Sequence, residues 1–522
     1  MRSTTMTTDA QLAGPTPPRT RMTAFLARVE RVGNRLPHPF WLFWVLFVLL
    51  AVASAVLSAA GVSVADPATG DAVTVRNALS ADSIRELVSG TQESYLAFGP
   101  VGTVLITMLG LAVADRSGLL EAVVRRSLAR VRPGWVVFAV CIVGAMSKIL
   151  EYSAYVVVIP LAAIAFRQVG RSPMLGMIVA FLSINAAGDA NPFIAPGDVI
   201  FADIATQAAR IVDPSAVVRP TDNTYFTTVS ALVLAGVLTL VTERVLARRE
   251  HELVPDPGAT GPSVAPRLDI SEAVEKRALR ATGLVAVAFL GSLVLAMVPA
   301  GSPLRGEDGG ILESTLFSGI AVFISLFFFC VGATFAQLTG QLRGSADLPL
   351  FMADGLRSVA PLLVLFFAIS QFLALFSWTG ISTVVAVNGA DVLERLDAPI
   401  FVVLMMLIGG IALLNLLITS GSALWALLAS VIIPMTQLIG ANPATVMAVY
   451  RIADSCTNSI TPMSSTFILT VGYLQTYRKS AGIGTLVSYT LPAALAMLVA
   501  WTALFALWYA VGLPLGPGAP VR

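Results

Sequence analysis

Charge is what this chain has least of: Asp, Glu, Lys and Arg make up 12% of its 522 residues, about half the roughly 25% usual in soluble domains. Water is therefore not its main solvent. Histidine is nearly absent, with only His38, at the head of an apolar run, and His251, in a polar stretch; a histidine base or a zinc site at membrane depth is excluded. The three cysteines, Cys141, Cys330 and Cys456, stand in apolar or small-residue surroundings at no metal-ligand spacing. They read as packing residues and imply no disulfide framework. Net charge is +2 and no basic stretch is interleaved with aromatics, which excludes nucleic acid as a partner.

What the chain has instead is apolar length. Hydrophobic residues make up 56% of it, gathered in runs such as Pro39–Gly61 and Leu491–Val511 that match the roughly 20 residues needed to cross a bilayer core. The length holds about nine to eleven such spans. A β-barrel is excluded, because barrel strands alternate apolar and polar residues while these runs are apolar on every face. The fold class that follows is an all-α polytopic membrane protein.

Charge sets the expected orientation. Segment 1–37 carries Arg19, Arg21, Arg28, Arg31 and Arg35, so the N-terminus is expected in the cytoplasm of a bacterial inner-membrane, multi-pass protein. A first transmembrane half then runs over 38–245. Its loop 62–98, with Asp66, Asp71, Asp82, Glu86 and Glu93, belongs outside, and a span near Gly99–Val113 returns to a cytoplasmic cluster of Arg116, Arg125, Arg126, Arg130 and Arg132. A polar stretch, 246–281, forms a cytoplasmic linker near the middle of the chain. The second transmembrane half covers 282–513, and 514–522 is a C-terminal tail.

Each half contains two interruptions. The apolar stretch 136–165 is broken by Ser147, Lys148, Glu151, Tyr152 and Ser153, and irregular backbone at membrane depth is tolerated only in a protein-lined or wet cavity. It is expected to be a re-entrant hairpin. The run Met174–Ile184 then ends in a segment holding Asp189, Asn191, Pro192, Pro196 and Asp198, as an unwound stretch between half-helices would. The second half repeats the order, with a hairpin over about 400–436 interrupted near Ser420, Ser422 and Trp425, then a break holding Asp454, Asn458 and Pro462. Pro160 and Pro434 sit at matching points of the two hairpins. The sequence thus predicts an internal repeat, and paired broken segments point to a transporter's binding site.

Several segments together resemble the AbgT family of p-aminobenzoyl-glutamate transporters and their drug-efflux relatives: Val32–Trp41, Val73–Ser80, Ala114–Leu119, Trp425–Leu428, Tyr450–Ser455, Gly482–Leu486 and Gly512–Pro520. The likeness runs nearly end to end. It implies a homodimer, two inverted-topology repeats each with a re-entrant hairpin and a broken helix, a bowl-shaped cavity open to the cytoplasm, and cation-coupled movement of p-aminobenzoyl-glutamate or sulfonamide-like antimetabolites. Positions weighted for function in such proteins fall on Asp198, Ser422, Trp425, Pro443, Arg451, Asp454 and Pro462, all matching in type. In the first hairpin, Lys148 and Tyr152 stand where the family carries an asparagine and an aspartate. In the second, Leu424 replaces a lysine.

A buried charge costs roughly 2.5–3.5 kcal/mol on insertion scales, so Lys148, Glu151, Asp189, Arg451 and Asp454 need partners or water. Lys148 and Glu151 are spaced to neutralise each other across a helical turn, and so are Arg451 and Asp454. Arg451 also suits a substrate carboxylate, with Asp454 orienting it or carrying a proton. Asn191 and Asn458 are candidate ligands for a sodium ion, or amides that satisfy broken-helix backbone. Trp425 either stacks on an aromatic solute or fills the hairpin; Asp198 is a functional acid or a helix N-cap. No cofactor beyond a coupling Na+ or H+ is expected. The rival functions are an ion-coupled carrier of another small carboxylate and, from a different class, an intramembrane hydrolase using Ser420 or Ser422 with Lys148, for which the repeat has no use.

Overall fold

The computed structural model describes residues 38–522 apart from 66–68, 129–130, 260, 263–269, 300, 307–308 and 311–313. The arginines of segment 1–37, part of the loop 62–98, Arg130 and part of the linker lie outside the described residues. The first half contains helices α1 (Pro39–Ala59), α2 (Ala81–Leu96), α3 (Gly99–Arg116), α4 (Leu119–Leu128), α5 (Val136–Met146), α6 (Tyr152–Gln168), α7 (Pro173–Ala186), α8 (Pro196–Ala209) and α9 (Thr224–Val241). The second contains α10 (Glu272–Met297), α11 (Ile320–Leu338), α12 (Asp347–Trp378), α13 (Ile381–Arg395), α14 (Ile400–Asn415), α15 (Gly421–Leu438), α16 (Pro443–Asn458), α17 (Ser465–Tyr477) and α18 (Ile483–Val511). Among the described residues nine helices are long and apolar enough to cross a membrane, or ten if α13 and α14, bent by 117° at their junction, form one span. The protein is polytopic and helical, with one small departure: two short antiparallel strands, Ser63–Ala65 and Ala72–Thr74, form a hairpin in the first loop.

Burial sorts the helices. All fourteen residues of α7 are buried, as is every residue of α16 from Ala444 to Thr457, and the two helices touch where Cys456 meets Ala186, with Ser455 bonded to Asp189 just beyond α7. α7, apolar around nearly its whole circumference, must be enclosed, and here protein encloses it. α1 and α10 lie at the opposite extreme, with Leu284, Val287, Val294 and Leu295 of α10 each more than 60% exposed, the surface expected to face lipid.

Close backbone approach fixes the bundle. A methyl on Gly110 of α3 would run into the backbone carbonyl of Ser325 in α11, and one on Gly332 of α11 into the Val113–Ala114 backbone. Small residues allow this approach, which replaces the missing hydrophobic drive between helices in lipid.

Three boundaries differ from those read in the sequence. The polar stretch 246–281 is not all linker: residues 247–252 continue helically from α9, and α10 starts at Glu272, where the Ser271 side chain accepts from the Val274 amide. A capped N-terminus tolerates the polar first turns. The segment 514–522 is not a free tail. Leu515, Ala519 and Val521 are buried, because the Leu515 carbonyl accepts from the amides of Tyr225 and Phe226 that α9 leaves unpaired.

Candidate functional site

The site grows from two interrupted segments, one in each half. The first hairpin stretch is α5, a single tight turn over Ser147–Leu150, then Glu151 at φ +48° and α6. A non-glycine residue at positive φ is strained by about 1–3 kcal/mol, here at the break between α5 and α6. After α7 the chain is irregular to Ala195. Asn191 closes this turn, its Nδ2 donating to the Gly188 carbonyl at 3.1 Å and its Oδ1 accepting from Phe193 N at 3.0 Å. Pro192 and Pro196 prevent continuous helix. α8 then starts at Pro196, and Asp198, in its first turn, accepts from Ala195 N at 2.6 Å. Asp198 is therefore not the N-cap residue but the acid three positions on, which binds back to the cap amide.

In the second half, α14 ends at Asn415, residues 416–420 are non-helical, and α15 begins at Gly421. Asn442 caps α16 by accepting from Ala444 N at 2.8 Å, and Pro443 occupies the first turn, where its missing N–H costs nothing. Pro462 is buried in the turn beyond α16. There the Thr461 hydroxyl donates to the Leu416 carbonyl at 3.3 Å, tying the two second-half interruptions together.

Side chains from the two halves meet between these segments, and their pairing differs from the expected one. Arg451 is 2% exposed and its Nη1 donates to Asp198, not to Asp454. Its Nε and Nη2 have no protein partner, and the guanidinium lies 5.2 Å from the centre of the Phe201 ring. Asp454 is held on its own helix instead, accepting from Tyr450 Oη at 3.2 Å and from Asn458 Nδ2 at 3.0 Å. Lys148 likewise does not pair with Glu151, since the helix stops between them. Its Nζ lies 3.9 Å from Asp189 Oδ1, and the other oxygen of Asp189 accepts from Ser455 Oγ at 2.7 Å. Of the groups that spacing assigned to neighbours on one helix, Arg451 is thus partnered across the halves, Lys148 by a carboxylate of its own half, and Asp454 by an amide and a hydroxyl.

Trp425 is fully buried. Its Nε1 donates to the Phe201 carbonyl at 2.9 Å and its ring lies 4.6 Å from that of Tyr450, so in this conformation it packs α15 against α8 and α16. Ser422 is half-buried on the same helix. The two amides considered for sodium belong to separate hydrogen-bond networks, Asn191 in its own turn and Asn458 beside Asp454.

Sequence reasoning missed Asn415. It is fully buried, the two hydrogens of its Nδ2 are shared among the Asp454 carbonyl at 2.9 Å, Thr457 Oγ1 at 2.8 Å and Asn458 Oδ1 at 3.2 Å, and its Oδ1 has no partner. The signal was present: an amide closing an apolar run is as notable at membrane depth as a serine-rich interruption. Tyr450 was missed too; its single hydroxyl proton is shared between the Gly421 carbonyl at 2.6 Å and Asp454 at 3.2 Å. The contact with Gly421 joins α16 to the start of α15.

Comparison with known proteins agrees with this architecture. The AbgT putative transporter family matches residues 24–522. The p-aminobenzoyl-glutamate transport protein of Escherichia coli (strain K12) is 34% identical over 498 residues, 94% of this chain and 95% of that protein. Two solved structures superpose with a TM-score of 0.86 at 36% identity: the YdaH transporter of Alcanivorax borkumensis, covering 92% of this chain and all of that one, and MtrF of Neisseria gonorrhoeae, described among antimetabolite efflux pumps, covering 95% and all of that chain. With the buried, cross-half ion pair and two interrupted segments already in place, the chain belongs to the AbgT family and is a membrane transporter, not an enzyme.

Proposed function

We propose that this protein is a cation-coupled secondary transporter of p-aminobenzoyl-glutamate or a related carboxylated aromatic or sulfonamide-like solute. The observation that carries the reading is Arg451: a buried guanidinium whose Nη1 is engaged while Nε and Nη2 have no protein partner. Those two nitrogens form the side edge of the fork, the edge a carboxylate grips with two parallel hydrogen bonds. The name of the Escherichia coli relative supplies a solute with carboxylates. Asp198 holds Arg451 in place, with Ser422, Pro443 and Pro462 shaping the surrounding segments.

The coupling ion belongs to the Asp454 group. The Asp454 carboxylate, Asn458 Oδ1 and the unpartnered Asn415 Oδ1 are hard oxygen donors of the kind a sodium ion takes; a proton on Asp454 would serve the same role. We further infer that the halves are inverted repeats with re-entrant hairpins, that two copies form a homodimer in the bacterial inner membrane, and that the N-terminus is cytoplasmic. The order of interruptions in both halves supports the repeats and the arginines of segment 1–37 the orientation, while the dimer rests on the family resemblance. A second reading, an ion-coupled carrier of a different small carboxylate, is favoured by Lys148 beside Asp189 and by the apolar Leu424.

The test is flux of labelled p-aminobenzoyl-glutamate into proteoliposomes under separately imposed sodium and proton gradients. Uptake driven by one gradient in the wild type, abolished by Arg451→Ala and not rescued by Arg451→Lys, is expected. Folded wild-type protein that moves this solute under neither gradient would overturn the substrate assignment and favour the second reading.

A further inference from the structure

Between the first turn of α9 and the start of α8 lies a cavity of about 10 Å³, whose wall includes Asn191, Asp198, Pro220, Asn223 and Thr227. That is room for a single water-sized group. Asn223 is 2% exposed, and neither its Oδ1 nor its Nδ2 has a protein partner. An amide with both ends unsatisfied in a buried site costs the desolvation of each, so an occupant must both donate and accept.

Electrostatics narrows the occupant. Asp198 faces the cavity with its charge already offset by Arg451 and by the amide of Ala195, and the positive ends of α8 and α9 converge here, so no net field draws in a cation. An anion would sit against the Asp198 carboxylate. A neutral hydroxyl-bearing group remains, and at this volume that group is water. Each carboxylate oxygen of Asp198 has a second lone pair with which to accept from it.

The other side of the same helix start is closed by the C-terminal segment. The amides of Tyr225 and Phe226 donate to Leu515 O at 2.9 and 3.0 Å, and Thr445 Oγ1, in the first turn of α16, donates to Val521 O at 3.0 Å. We propose that Asn223 holds one water molecule against Asp198, and that this water site and the segment 514–522 together lock the start of α9 onto the Asp198–Arg451 pair. Asn223 is then a positioning residue: it touches no solute but fixes the carboxylate that aims the guanidinium.

The test uses the full-length protein in nanodiscs, with Asn223→Leu, of matching size and unable to hydrogen-bond, and Asn223→Ser, which still donates and accepts. Expected are a density peak within hydrogen-bond reach of Asn223 and Asp198 in the wild type, its loss in Asn223→Leu, and about tenfold faster hydrogen exchange at the Ala195 amide in that variant, the equivalent of one buried hydrogen bond. Asn223→Ser should restore the exchange rate. For labelled p-aminobenzoyl-glutamate, Asn223→Leu should raise KM more than it lowers kcat, and Asn223→Ser should reverse this. A wild-type map that shows other buried waters but none here overturns the proposal, as does a peak whose occupancy follows sodium concentration. Unchanged exchange in Asn223→Leu does so too, and if that variant fails to fold, the wild-type map and Asn223→Ser decide. If no protein moves the solute, the substrate assignment fails while map and exchange still judge the water site.

Discussion

Breaking the Asp198–Arg451 pair from either side should cost far more than removing it whole. Asp198→Ala leaves a guanidinium that is 2% exposed with no protein partner at any nitrogen, and stranding one member of a buried pair costs about 3–5 kcal/mol. Typical stabilities are about 5–15 kcal/mol, so the loss would be plain in any unfolding assay. Arg451→Met should fall at the low end of that range, because Asp198 retains the Ala195 amide at 2.6 Å and the positive end of α8. Asp198→Asn with Arg451→Met removes both charges and keeps an acceptor for that amide, so stability should return to near the wild-type level while transport stays absent. Thermal and denaturant unfolding of the wild type, Asp198→Asn, Arg451→Met and the double variant in one detergent gives the double-mutant cycle; with each single stranding one charge at about 3 kcal/mol or more and the double near neutral, the expected coupling is about 6 kcal/mol. A double variant as unstable as the sum of the singles would refute the reasoning, since the two groups would then not be partners.

Trp425→Phe removes the indole bond to the Phe201 carbonyl but keeps a ring beside Tyr450; it should cost about 1 kcal/mol and preserve most transport, whereas loss of flux without loss of stability would mean the indole meets the solute in another state. Gly110→Ala places a methyl against the Ser325 carbonyl of α11, and since backbone cannot yield, the yield of folded protein should collapse, which size-exclusion of the solubilised protein checks. Burial pushes the Asp222 carboxyl, in the loop before α9, from its ordinary 3.8 up to about 6. The folded chain therefore binds this proton more tightly, and the stability it lends is full below pH 3.8 and lost as pH rises through about 6. The gap corresponds to about 3 kcal/mol, so Asp222→Asn should raise the melting temperature at pH 8 but not at pH 3.5; equal shifts at both would count against this account.

The membrane class was legible because lipid imposes a simple rule, long apolar runs with internally satisfied backbone, and the interruptions were legible because proline, glycine, asparagine and serine break that rule visibly. Boundaries were less so. The linker seemed to extend to 281 because composition cannot distinguish a polar loop from the polar first turns of α10, which only the Ser271 cap reveals. The C-terminal segment read only as a tail because its role is played by the carbonyls of Leu515 and Val521, and backbone acceptors leave no mark in a sequence.

Partnership was the least legible property of all. Spacing of three on a helix made Lys148 with Glu151 and Arg451 with Asp454 the natural pairs, and both fail for one physical reason: a charge at membrane depth pairs with whatever the tertiary fold brings nearest, here Asp189 and Asp198. The second case bears directly on transport. Had Arg451 paired with Asp454 on its own helix, the pair would move as one body and the two halves could separate without disturbing it. Because Asp198 belongs to α8 and Arg451 to α16, any motion of one half against the other must stretch or exchange that ion pair. On the proposed function, a solute carboxylate on the free edge of Arg451 would offer the compensating partner, which would make binding and the relative motion of the halves parts of a single equilibrium.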